Sequence, residues 1–170
     1  MSEPFIQTHT GRKVHFLDPT EDEIDIEDIA HTLSLLCRYG GHCKEFYSVA
    51  QHSVLCSREV DPYLQLEALL HDASEAYLVD MPRPIKRTLK EYTDIENRIQ
   101  RVICKKFDIN YPFHDDIHYI DNKMLATEAK TLMKTGEVFE GFPEPFSWQV
   151  APWSPQESKY NFICRFKELT

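Results

Sequence analysis

Apolar residues recur at three- and four-residue spacing over most of the chain, which is the pattern of amphipathic helices that share a core. Asp25 is the predicted N-cap of the first helix. The last helix is predicted to begin with a capping box, with proline at the first helical position, in the run Ser154-Pro155-Gln156-Glu157. Over residues 5–16, apolar and polar residues alternate instead, and this pattern predicts a small hairpin that turns at Thr10-Gly11. The predicted helices cover about 25–39, 45–59, 62–78, 91–107, 115–135 and 154–169.

These elements predict an all-α fold, a bundle of about six helices with a minor N-terminal hairpin, in a single domain over residues 1–170. The prolines of Met81-Pro82-Arg83-Pro84 predict a break after the third helix. The segment 137–153 is rich in Pro, Phe and Trp, and it predicts an ordered irregular loop that covers the core.

Net charge and cysteine content narrow the class of protein. A net charge of -9 disfavours a basic footprint for duplex nucleic acid, although a metal ion or a single arginine can still attract a small anion. Five cysteines without a Cys-x-x-Cys pair predict reduced thiols rather than a disulfide framework or a zinc knuckle. Since the N-terminus does not read as a signal peptide and no apolar run approaches ~18 residues, the sequence predicts a cytoplasmic protein without a membrane partner.

The strongest chemical signal is the run Leu69-Leu70-His71-Asp72-Ala73-Ser74-Glu75. It sets three ionisable groups beside an apolar stripe, where unpaired charge is costly. A metal ion would remove this cost, because imidazole and carboxylate both bind divalent first-row ions. Glu75 follows one turn later, where it can act on a water at the metal without binding the metal itself.

Other helices must supply the remaining ligands. His52 lies in the preceding helix, and Asp121 lies in an amphipathic helix much later in the chain. His31 in the first helix and His42 after the Gly40-Gly41 turn are the alternatives to His52. A histidine, a His-Asp pair and a distant aspartate together make a four-ligand site with room for water.

This pattern resembles the HD-domain phosphohydrolases, and within them the nucleotidase branch of bacterial deoxyribonucleoside 5'-monophosphatases and related phage deoxynucleoside triphosphate hydrolases. The resemblance covers about residues 25–135. It rests on Asp121 and on three runs, Cys37-Arg38-Tyr39-Gly40-Gly41-His42, Val49-Ala50-Gln51-His52-Ser53 and the segment from Leu70 through His71-Asp72 to Pro84-Ile85-Lys86.

The resemblance implies an HD-domain helical bundle whose metal ligands are His52, His71, Asp72 and Asp121. It implies that Glu75 orients or activates the attacking water. The cofactor is then a divalent ion, and histidine with carboxylate ligation leaves Zn, Mn, Co, Ni, Fe and Mg open.

The resemblance also implies a substrate side to the site. Asp80 becomes a second acidic group near the substrate, and Arg38 becomes a phosphate contact. Tyr39, where the monophosphatases carry tryptophan, is expected beside the sugar, and His42 and Lys86 complete the predicted substrate-binding set.

The sequence thus predicts a homo-oligomeric, metal-dependent hydrolase of small nucleotides, which acts either on deoxyribonucleoside monophosphates or on triphosphates such as dATP. A metal-binding sensor or scaffold without catalysis is the alternative of a different class. A nuclease or a cyclic-nucleotide phosphodiesterase is the alternative among enzymes.

Overall fold

The fold, seen in a computed structural model that describes residues 4–138 and 140–170, is mostly helical with a small antiparallel sheet near the N-terminus. The first three residues, which belong to the segment compared with a signal peptide, and Phe139 of the predicted loop lie outside the described residues. In this part of the chain the α-helices are α1 (Ile26–Leu35), α2 (Val49–Glu59), α3 (Gln65–Leu70), α4 (Arg83–Lys86), α5 (Lys90–Lys106), α6 (Asp115–Leu132) and α7 (Pro155–Leu169).

The predicted hairpin is confirmed. Strands β1 (Ile6–Gln7) and β2 (Lys13–Val14) pair antiparallel, with Ile6 opposite Val14. Thr10 in the turn donates from its backbone N–H and its hydroxyl to the two carboxylate oxygens of buried Asp28, at 2.7 and 2.8 Å. These bonds hold the hairpin on α1.

Helix α2 lies at the centre of the molecule, because α1, α3, α6 and α7 all pack against it. Its side chains Val49, Ala50 and Val54 are fully buried in the main hydrophobic core. Four polar residues of α2, Gln51, His52, Ser53 and Ser57, are also buried, and Gln51 uses its amide to bind the carbonyl of Ala151 at 2.7 Å and the N–H of Trp153 at 2.8 Å. Arg58 and Glu59 at the end of the helix are exposed, so most of the polar side chains of α2 face the interior.

Both predicted N-caps are confirmed. The Asp25 side chain accepts from the N–H of Glu27, and Ser154 forms the predicted capping box with Glu157. Helix α6 is capped by His114, whose ring accepts from the N–H of Asp116. The imidazole nitrogen here takes the place of the side-chain oxygen that an N-cap residue usually supplies.

The first two predicted helices are too long. Helix α1 ends at Leu35, and a 3-10 turn over Arg38–Gly41 follows it. The extended segment around Cys37 pairs with the segment before α2 through an isolated bridge to Ser48. Because this pairing uses backbone groups that a helix would need, α1 stops early and α2 begins only at Val49.

The predicted helix over 62–78 is interrupted. A 3-10 turn at Pro62–Leu64 leads into α3, which ends at Leu70, and a second 3-10 turn covers Ala73–Ala76. Asp72 takes φ -101° and ψ 13° between them. His71 and Asp72 therefore sit at a break rather than within a continuous helix, where neighbours would point about 100° apart.

The predicted proline break contains the short helix α4, in which Pro84 occupies the first turn that tolerates proline. The prediction of an irregular connection is confirmed for the described part of 137–153. No helix in the described ranges has the length and apolar character that crossing a bilayer requires.

Candidate metal centre

The four side chains predicted as metal ligands meet at one point between α2, α6 and the break after α3. The Nε2 atom of His52 lies 3.4 Å from Nε2 of His71, 3.2 Å from Oδ1 of Asp121 and 3.6 Å from Oδ2 of Asp72. The Nε2 atom of His71 lies 3.3 Å from the same Asp72 oxygen and 3.9 Å from the Asp121 oxygen. Ligand atoms bound at about 2.1 Å to one ion stand about 3.0–3.5 Å apart. Three of these five distances lie in that range and two are longer, so the donor set is close to the spacing that one small cation requires.

The other ring nitrogen of each histidine is held by a protein oxygen. The Nδ1 atom of His71 donates to the carbonyl of Ala68 at 2.7 Å, and Nδ1 of His52 lies 2.6 Å from Oε1 of Glu128. Since a carbonyl oxygen can only accept, the proton of neutral His71 lies on Nδ1 and its Nε2 lone pair is free. Such partners fix the tautomer and the ring orientation of metal-binding histidines.

Cys56 adds a fifth possible donor that the sequence argument missed. Its Sγ lies 3.5 Å from Nε2 of His52, one turn earlier on α2, and the buried group His52, Cys56 and His71 could hold a metal ion. Burial raises the pKa of this thiol to about 11, so its neutral form is favoured before any ion binds. The i, i+4 spacing of His52 and Cys56 is the sequence signal that points to it.

Glu128 organises the protein side of the centre. It is fully buried on α6, seven residues and two turns after Asp121, and it accepts from Tyr47 at 2.8 Å, Tyr39 at 2.9 Å and Nε of Arg38 at 3.1 Å. Burial alone would raise the pKa of this carboxyl, but Arg38 and His52 bring it down to about 2. The carboxylate is therefore ionised, and its contact with Nδ1 fixes the ring of His52.

Two arginines flank the aspartates. The Nη1 atom of buried Arg38 lies 3.5 Å from Oδ2 of Asp72. Arg83 pairs with the other oxygen of Asp121 and also donates to Oδ1 of Asn122 at 2.6 Å. Burial works against ionisation of Asp121, yet His52, His71 and Arg83 hold the pKa of its carboxyl below the usual range.

Glu75 lies beside the centre with part of its carboxyl unpaired. The side chain is only 5 % exposed, and its Oε2 has no hydrogen-bond partner among the described residues. Burial, followed by the neighbouring carboxylates of Asp72 and Asp80, raises the pKa of Glu75 well above its ordinary value. A buried acid with one oxygen that lacks a partner, next to four donor side chains, suits proton transfer better than structural support.

The predicted substrate side is only partly assembled. Half-buried Asp80 is close enough to Arg38 and Asp72 for their charges to act on it, and its pKa is raised, chiefly by burial. Lys86 forms an ion pair with Glu96 at 2.6 Å. His42 is exposed in the turn after Gly41, where its backbone N–H bonds the carbonyl of Tyr39.

Tyr39 turns its hydroxyl inwards to Glu128. Its backbone is left-handed, with φ 57°, and Gly40 follows with φ 60°. Left-handed backbone is uncommon in a non-glycine residue. Because the hydroxyl is bound to Glu128, the half-buried ring is the part of Tyr39 that remains available for other contacts.

A cleft of about 490 Å³ is lined by four basic side chains, Arg83, Lys86, Arg87 and Lys90, together with Thr93 and Asp94. Arg83 links this cleft to the centre through its ion pair with Asp121. His31, the alternative ligand, belongs elsewhere, because its ring stacks on that of His9 with centroids 3.6 Å apart.

Sequence reasoning missed Glu128, Cys56 and Arg83. The heptad spacing of Asp121 and Glu128 on α6 puts both acids on the face that carries the apolar stripe, which is the one signal for Glu128. Arg83 stands inside the proline-rich run, where its pairing with Asp121 depends on a contact 38 residues apart in sequence.

The chain is similar over nearly its whole length to the uncharacterized protein YfdR of Escherichia coli (strain K12), at 41% identity over 170 residues, which cover 98% of this chain and 96% of YfdR. It is also similar to the uncharacterized protein RCAP_rcc00048 of Rhodobacter capsulatus, at 37% identity over 110 residues, or 59% of this chain and 56% of that protein. No family model matches the chain.

Proposed function

The chain belongs to the family of YfdR. From the geometry of its candidate metal centre, we propose that it is an HD-domain phosphohydrolase that uses a divalent metal ion to cleave phosphate esters of nucleotides. One observation carries this proposal. The Nε2 atoms of His52 and His71 lie 3.4 Å apart and within 3.2–3.9 Å of carboxylate oxygens of Asp72 and Asp121, and the carboxyl of Glu75, whose Oε2 has no hydrogen-bond partner among the described residues, lies beside them.

The metal ligands in this proposal are two histidines and two aspartates. Cys56, which lies near His52, is an additional donor that is less favoured. The carboxylates are preferred to the thiol because Asp72 and Asp121 are ionised and each lies close to both histidines, whereas burial favours the neutral form of Cys56. A divalent ion held here supplies a Lewis acid for a phosphoryl oxygen and lowers the pKa of water.

The chain's own residues then do the remaining work. Glu75 accepts the proton of the attacking water, because its carboxyl is buried and its Oε2 has no hydrogen-bond partner among the described residues. Arg38 offers guanidinium donors to a phosphate from its place beside Asp72, while Glu128 fixes the opposite side of the same guanidinium. Asp80 and Lys86 lie at the edge of this site and help to position the substrate.

The substrate class follows from this arrangement of charge. A buried arginine and a cleft with four basic side chains favour an anionic substrate on a chain whose net charge is -9. The left-handed turn at Tyr39 and Gly40 brings backbone and a flat ring close to the phosphate site, which suits a nucleotide. We propose a deoxyribonucleotide, as either the monophosphate or the triphosphate.

The test is a panel of nucleoside mono- and triphosphates, each assayed with Mg, Mn, Co, Ni, Fe and Zn after the purified protein has been freed of metal by a chelator. Release of free phosphate indicates a monophosphatase, and release of tripolyphosphate indicates a triphosphate hydrolase. Metal binding at unit stoichiometry without turnover of any nucleotide would contradict the enzyme proposal and would favour a sensor or scaffold. Hydrolysis that is unchanged without metal would contradict the metal assignment.

A further inference from the structure

A second reactive pair lies outside the metal ligands, at the two ends of the turn that carries Arg38 and Tyr39. The Sγ atoms of Cys37 and Cys43 are 3.8 Å apart, in van der Waals contact. Both cysteines are half-buried, so small molecules in solvent can reach them. Disulfide bonds have sulfurs about 2.05 Å apart, and side-chain rotation has to close only the remaining gap of about 1.8 Å.

The backbone holds these two thiols together independently of the metal centre. The N–H of Arg38, directly after Cys37, donates to the carbonyl of Tyr47 at 2.9 Å. Directly after Cys43, the N–H of Lys44 donates to the carbonyl of Leu132 at 2.9 Å. Because both ends of the turn are anchored to other segments, closing a bond between them costs little chain entropy.

We propose that Cys37 and Cys43 form a reversible oxidation site, which a peroxide converts to an intramolecular disulfide across the Arg38–Gly41 turn. The Cys37 thiol gives its proton to solvent, and the thiolate attacks the peroxide, breaks its O–O bond and becomes a sulfenic acid, while the expelled hydroxide takes a proton from solvent and leaves as the first water. The Cys43 sulfur then attacks the Cys37 sulfur, the S–S bond forms, and the hydroxyl of the sulfenic acid leaves as the second water. Two thiols are oxidised and one peroxide is reduced.

The surroundings assign the order of the two steps. The Cys43 thiol donates to the carbonyl of Arg38 at 3.2 Å, and this bond holds its proton. Burial and the neighbouring Cys37 raise the pKa of Cys43 to about 11. Cys43 is therefore the resolving thiol, and the first attack falls to Cys37.

The bond would close a ring around Arg38. It would also break the bond from the Cys43 thiol to the Arg38 carbonyl, and it would tighten the turn that places the guanidinium beside Asp72. An effect on nucleotide binding is expected, and that part alone rests on the proposed function. The disulfide itself can form whether or not the protein is an enzyme.

The experiment uses the full chain, reduced, freed of reductant and then titrated with hydrogen peroxide. Trypsin cleaves after Arg38, so Cys37 and Cys43 fall on separate peptides, and a disulfide joins them. Cys37→Ser and Cys43→Ser are the test variants. Cys164→Ser is the matched control, because Cys164 is also half-buried and lies on α7.

The expected result is a loss of two of the five thiols and of about 2 Da in mass. The joined peptides should appear in the wild type and in Cys164→Ser, should be absent from Cys37→Ser and Cys43→Ser, and should separate on reduction. Three outcomes overturn the proposal: unreacted thiols, a sulfinic acid on either cysteine without joined peptides, or joined peptides in a variant that lacks one of the pair. If the wild type forms the disulfide and its nucleotide turnover does not change, the oxidation site is supported and only its effect on the substrate is refuted.

Discussion

Glu128→Gln tests whether the buried carboxylate behind His52 supports the metal centre. The change keeps the shape of the side chain and removes its charge, which leaves Arg38 buried without its closest carboxylate. Removing one partner of a buried pair costs about 3–5 kcal/mol. A similar figure follows from pH: the carboxyl titrates at about 2 instead of its ordinary 4.5, which corresponds to about 3 kcal/mol at about 1.4 kcal/mol per pH unit.

The sign of this contribution is that of an acid whose pKa is lowered by folding. It is fully present above about pH 4.5 and is lost as the pH falls from there to about 2. Urea unfolding at several pH values should show this loss in the wild type, and Glu128→Gln should lack it. Equal slopes for the two proteins between pH 4.5 and 2 would refute the assignment.

Metal binding supplies the second measurement on Glu128→Gln. Loss of an acceptor behind a ligating histidine lowers metal affinity by about 10- to 100-fold, which competition with a coloured chelator can measure. Tyr47→Phe is the control, because it removes one hydrogen bond to Glu128 and does not touch His52. It should lose about 1–2 kcal/mol of stability and keep its metal affinity. If both variants bind metal as the wild type does, Glu128 supports the fold alone.

Four further predictions concern the site itself. Asp72→Ala should lose metal and activity together, and full metal occupancy by elemental analysis would exclude Asp72 as a ligand. Glu75→Ala should keep its metal and lose about 10²- to 10⁴-fold in rate, whereas a parallel fall in metal content would make Glu75 a ligand. His52→Ala should lose metal while His31→Ala keeps it, and the reverse result would transfer the ligand role to His31. The value of kcat/KM should be about tenfold to a hundredfold higher for a deoxyribonucleotide than for the matched ribonucleotide, since an unpaired buried hydroxyl costs about 1–3 kcal/mol. If Tyr39→Ala leaves this ratio unaltered, the ring of Tyr39 does not discriminate between the two sugars.

The helical framework was predictable because its signals are local. A cap such as Asp25 or the Ser154–Glu157 box acts on backbone groups within three residues, so the sequence alone determines where those helices begin. The boundaries that failed depend on distant partners. Helix α1 stops early because the chain near Cys37 pairs with Ser48, and no periodicity within α1 records that pairing.

The sequence by itself also determined which residue types could carry the chemistry, since a His-Asp pair beside an apolar stripe needs a partner for its charge. Tertiary structure decided where that pair stands and which groups face it. His71 keeps helical backbone angles at the end of α3, whereas Asp72 departs from them with φ -101° and ψ 13°, and the donor atoms of the two residues lie 3.3 Å apart. It also decided which groups stand behind the donors, because Glu128 reaches His52 across 76 positions of sequence. Contacts of that range are set by how helices pack, and local sequence patterns do not encode them.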